Sequence, residues 1–101
     1  MDMELNMKIQ ITQDHINRGK DHSCTNCPIA LALTELIKDC FQVFVGVSHY
    51  RIEHRDSRKI LHRGEFVQEI SNFVCAFDRY KRSVEPIEID LAVPTHLLEA
   101  L

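Results

Sequence analysis

The chain has 101 residues, 45% of them apolar, and its 15 acidic against 12 basic side chains leave a net charge of −3 with histidine neutral. That length suits one core, and the acidic balance excludes wrapping nucleic acid or docking on an anionic membrane by bulk electrostatics, so that only local patches remain. The opening Met1-Asp2-Met3-Glu4-Leu5-Asn6 lacks the basic start and apolar run of a secretion signal, and nowhere do eighteen apolar residues follow one another, so a cytoplasmic protein is expected, with reduced thiols at Cys24, Cys27, Cys40 and Cys75.

Met7, Ile9 and Ile11 alternate with Lys8 and Gln10, the period of a half-buried strand. Thr12 is placed to cap a short helix running to Arg18, with Gly19 as its left-handed stop. A polar loop over 20–26 leads to Pro28, which suits a first helical position, with Cys27 just before it. Ile29, Leu33, Leu36, Ile37 and Cys40 then share one side of a helix predicted through Asp39. From 41 to 52 the residues turn β-branched and aromatic, which predicts one long strand bent at Gly46.

Arg55-Asp56-Ser57-Arg58 reads as a turn, and Lys59 to His62 as a third strand that Gly64 breaks. Phe66, Ile70, Phe73, Val74 and Phe77 recur every three or four residues, predicting a second core helix from Glu65 to Arg79, with Cys75 and Cys40 as small core residues. Ile87, Ile89 and Leu91 alternate in a last strand that Pro94 ends. The expected fold is one α+β domain over 1–101, in the order β-α-α-β-β-α-β. A mixed or antiparallel sheet of about four strands is covered by two main helices. Residues 1–6 and 95–101 are set at the periphery, where Leu97, Leu98 and Leu101 would offer an apolar patch for an oligomer.

Two places carry chemistry. Cys24-Thr25-Asn26-Cys27-Pro28, with His22 and His15 upstream, has the CxxC spacing that lets two sulfurs converge on one metal or exchange as a redox pair. Cys24, Cys27 and His22 are the candidate ligands, and zinc is the metal such a set would take; the plain alternative is a loop cysteine followed by a helix cap. Cys27 at a helix start would face amides that favour thiolate, and with His15 or His22 it would form a nucleophile pair.

The hairpin from Arg51 to Arg63 gathers Arg51, Arg55, Arg58, Lys59 and Arg63 against Glu53 and Asp56, a local positive potential in an acidic chain. Tyr50 is its lone aromatic, thin for stacking on bases. The plain alternative there is a charged sheet edge that discourages aggregation. No P-loop, GxGxxG or HExxH is present, and no catalytic order can be argued from spacing, so a non-enzymatic protein is expected, needing no cofactor.

Two stretches carry a likeness. They are Ile9 to Ile16 leading to Cys24-Thr25-Asn26-Cys27-Pro28-Ile29-Ala30-Leu31-Ala32, and Phe73-Val74-Cys75-Ala76-Phe77-Asp78 followed by Val84-Glu85-Pro86-Ile87. The chain thereby resembles a family of small proteins encoded by bacteriophages and prophages, with a CxxCP(I/V)ALA motif and an FxxxFD…VEP segment. The resemblance implies an accessory role played by binding, such as an anti-defence inhibitor of the anti-CRISPR kind, and a host protein or ribonucleoprotein as partner. A sponge for immune nucleotides, a zinc or thiol protein and a local nucleic-acid contact stand as alternatives. Where the family's loop after Phe77-Asp78 is short and glycine-containing, this chain has Arg79-Tyr80-Lys81-Arg82-Ser83, so Arg79, Lys81 and Arg82 join the hairpin cations as candidate binding residues.

Overall fold

The period-2 alternation at the start of the chain is realised as a strand. In β1 (Glu4–Ile11) Ile9 and Ile11 are buried while Lys8 and Gln10 are exposed. The computed structural model describes residues 4–80 and 83–99. Thr12 then caps α1 (Gln13–Arg18): its hydroxyl accepts the His15 amide, and the His15 ring accepts the Thr12 amide in return. After a loop come α2 (Pro28–Thr34), β2 (Phe41–Val45), β3 (His49–His54), β4 (Ile60–Glu65), α3 (Gln68–Tyr80) and β5 (Ile87–Pro94), followed by a single 3-10 turn at Thr95–Leu97.

The α+β class is as expected, but the strands divide into two antiparallel sheets instead of one. β1 pairs with β5 as a two-stranded ribbon, from Glu4 opposite Pro94 to Ile11 opposite Ile87, and β2-β3-β4 form the other sheet. The extra strand arises at 46–49, where the Gly46 amide donates to the His49 carbonyl at 2.8 Å and turns the chain back on itself. The predicted long strand is thus a hairpin. The two sheets meet at Tyr50, whose hydroxyl donates to the Ala92 carbonyl at 2.6 Å. One contiguous core runs from Ile9 and Ile11 through Ile29, Leu33, Val43, Ile52 and Phe77 to Val93.

Other boundaries differ for local reasons. The α2 helix stops at Thr34 rather than Asp39, because the Thr34 hydroxyl bonds back to the Ala30 carbonyl and the chain end takes the next backbone groups. Ile37 bridges Leu98, the Lys38 amide donates to the Leu97 carbonyl, and the Glu99 amide donates to the Leu36 carbonyl. Cys40 therefore leaves the helix and is exposed, and Cys75 is exposed on α3, off the face of Ile70, Phe73, Val74 and Phe77; neither is a core residue.

Leu97 and Leu98 are buried, so they offer no patch, and Leu101 lies outside the described residues. Gly19 ends α1 with extended backbone, φ −66°, not left-handed; a Cβ there would sit 2.8 Å from the Pro28 ring. Gly64 does not break β4 but lies inside it opposite Tyr50, where a Cβ would run into the phenol ring.

Candidate functional site: the outer face of the three-stranded sheet

Strand alternation sorts the residues of β2 and β3 between two sides. Val43, Val45, Tyr50 and Ile52 are buried on the inner side, which leaves Gln42, Phe44, Arg51 and Glu53 for the outer one. Phe44 faces Arg51 across the ladder, and the guanidinium carbon lies 4.3 Å from the centre of its ring, a cation–π contact. On the other flank Arg51 stands directly opposite Arg63 of β4. Like charges in that position repel.

One carboxylate compensates part of this charge. Glu53 is 5% exposed and accepts from Arg51 Nε at 2.5 Å and from Arg58 Nε at 3.3 Å. Arg51, and after it Arg58, hold its carboxyl below the usual glutamate range although burial pushes the other way. Arg58 reaches inward from a left-handed backbone, φ 63°, an uncommon state for a residue with a Cβ. The turn fixes it there: the Arg58 amide donates to the His54 carbonyl, and the His54 ring accepts the Asp56 amide. Arg55 points back to the start of β2, donating to the Asp39 carbonyl and to Gln42 Oε1, both at 2.6 Å.

The five predicted hairpin cations therefore fall into two groups. Arg51, Arg55 and Arg58 are engaged within the chain, whereas the exposed Lys59 and Arg63 have no side-chain partner among the described residues. Arg79 does not join them. It lines a separate depression with His22, Cys75 and Asp78, and Lys81 and Arg82 lie outside the described residues. Tyr50 is 2% exposed and turned into the core, so it stacks on Phe66 rather than on any ligand. Sequence reasoning passed over Gln42 and Phe44; their spacing of two in β2 was the signal that would have placed them on one face.

At the CxxC, the chain passes His22 with φ 57°, its amide donating to Asp78 Oδ1, and the Cys24 carbonyl accepts the Val45 amide. His22, Cys24, Cys27 and Asp78 line one shallow depression, yet among the described residues no three His, Cys, Asp or Glu side chains converge as metal ligands. Cys24 is exposed and Cys27 buried. Burial pushes the Cys27 thiol up and outweighs the nearby Ala30 and Ile29 amides, the reverse of the thiolate expected at a helix start.

His15 is no base for it. Its Nδ1 accepts the Thr12 amide, which leaves Nε2 as the N–H that donates to Glu35 Oε1 at 2.7 Å, so both ring nitrogens are committed. Glu35, held below the usual glutamate range first by that His15 bond, also takes Arg18 at 3.1 Å.

No helix among the described residues is long and apolar enough to cross a membrane. Comparison with family models, with curated proteins and with solved structures finds no match to this chain. What the site itself defines is a cationic sheet face, underpinned by one buried carboxylate.

Proposed function

We propose that this chain is a small non-enzymatic binding protein whose outer β2–β3–β4 face docks on an acidic patch of a macromolecular partner. The role fits a bacteriophage accessory protein that blocks a host defence effector. One observation carries the reading: Arg51 and Arg63 stand opposite one another on an uncovered face where Glu53 is shared between Arg51 and Arg58. An incoming carboxylate beside Arg63 would offset the like charge of this ladder pair and receive charge-assisted N–H donors. An acidic protein or ribonucleoprotein surface suits the face better than a bare strand of nucleic acid, because Arg51 already covers Phe44 and the ring left beside Arg51 and Arg63 is the small imidazole of His49, a thin platform for stacking.

The test uses Lys59→Glu with Arg63→Glu, because these side chains take no part in the internal network and their reversal leaves Glu53 paired. Fluorescence anisotropy with a labelled polyglutamate peptide should show binding by the parent protein that weakens as salt rises. The double variant should bind at least about tenfold more weakly, as loss of two charge-assisted contacts implies. A single-stranded oligouridylate of equal charge should bind less tightly than the peptide. Equal affinity of the parent and double variant for polyglutamate would reject the surface.

A further inference from the structure

The β1–β5 ribbon has an open side. In an antiparallel ladder the peptide groups of successive residues point alternately toward the partner strand and away from it. Tyr50 takes the Ala92 carbonyl at 2.6 Å from beyond the ribbon, and the Thr12 amide goes to the His15 ring, so Ala92 and its ladder partner Asn6 face away from one another's strand. By the same alternation Glu4, Lys8 and Gln10 turn their amides and carbonyls outward from β1 with Asn6. Among the described residues no strand lies beside that edge, and residues 4–10 make no backbone hydrogen bond outside the ladder with β5. On the inner face next to it Leu5 is 38% exposed and Met7 only partly covered.

An eight-residue edge with free backbone groups is a template for strand addition. Its side chains name the occupant. When β1 is laid antiparallel against a second β1 about a two-fold axis at Asn6, each outward-facing residue from Glu4 to Lys8 meets an outward-facing residue. Asn6 meets Asn6, Glu4 meets Lys8 and Lys8 meets Glu4, while Leu5 and Met7 cover one another on the inner face. Opposite charges then sit across the new ladder twice over, and both apolar faces stay on the same side.

We propose that the protein self-associates through this edge, joining two ribbons into one four-stranded antiparallel sheet in the order β5-β1-β1-β5. Five paired residues make a small interface, so the dimer is weak and concentration-dependent. It uses the ribbon, not the cationic sheet face, and stands whether or not that face binds a partner.

Sedimentation velocity over a concentration series tests it. The parent protein should move from monomer to dimer as concentration rises. Glu4→Lys sets like charge against Lys8 at both symmetry-related positions, and its dissociation constant should rise about tenfold. Asn6→Pro removes an outward amide that β5 does not use and adds a ring the second strand cannot approach, so it should stay monomeric. Circular dichroism establishes that each variant is folded; Glu4→Lys decides alone if the proline variant is not. A parent protein that stays monomeric throughout, or a folded Glu4→Lys variant that dimerises as the parent does, overturns the proposal. Loss of the dimer in Glu4→Lys but not in Asn6→Pro also overturns it, because the association would then run through charge without strand pairing.

Discussion

Glu53 shows how a buried charge is maintained at the residue scale. Arg51 and Arg58 depress its folded-state pKa, so the carboxylate's stabilisation is fully present above the ordinary glutamate range and is lost as pH falls from there through the lower folded-state value. The urea midpoint of the parent protein should therefore drop in acid. Glu53→Gln should lower the midpoint at neutral pH and flatten the acid dependence, because Arg51 and Arg58 lose their shared counter-charge. Tyr50, whose hydroxyl burial pushes up to about 12, stays protonated and keeps donating to Ala92. Its ring sits where the Gly64 Cβ would be, so Gly64→Ala should cost about 1–3 kcal/mol in urea unfolding by overpacking. Among the cysteines, exposure and burial divide the reactivity: Cys24, Cys40 and Cys75 should react promptly with a thiol reagent, and Cys27 only as the protein unfolds.

At the scale of elements, the readable parts are those whose causes are local. The Thr12 cap was legible because a hydroxyl before a short helix needs only the next turn. Thr12→Ala, which removes half of a reciprocal cap, should lower stability by about 1 kcal/mol in thermal or urea unfolding. The amphipathic α3 and the alternation of β1 and β5 were legible for the same reason. The end of α2 was not, because residues 36–38 take backbone partners some sixty positions further along, at 97–99, which no periodicity announces. The candidate site divides in the same way. Charge clustering marked the hairpin cations, whereas the burial of Glu53, the engagement of Arg55 with Asp39 and the separation of Arg79 from the hairpin depend on packing between distant segments.

Across the whole molecule, the two ends of the described chain act as structural clamps. β1 pairs with β5 along their full length, and the segment after β5 folds back on residues 36–38, so distant parts of the sequence must meet before the core closes. Leu97 and Leu98 are 0% and 4% exposed within that last segment. Burying side chains of this kind contributes about 1.5–3 kcal/mol each, a large share of the roughly 5–15 kcal/mol that holds a small domain together. Leu97→Ala should accordingly destabilise the fold by about 2–5 kcal/mol, since the truncated side chain leaves a cavity in the core. Ending the chain after Pro94 removes both leucines and frees the backbone groups of Leu36 and Lys38, and should leave a protein without a cooperative thermal transition. Circular dichroism melts of the two variants beside the parent protein check this, and a truncated chain that melts as the parent does would show the segment to be a peripheral tail.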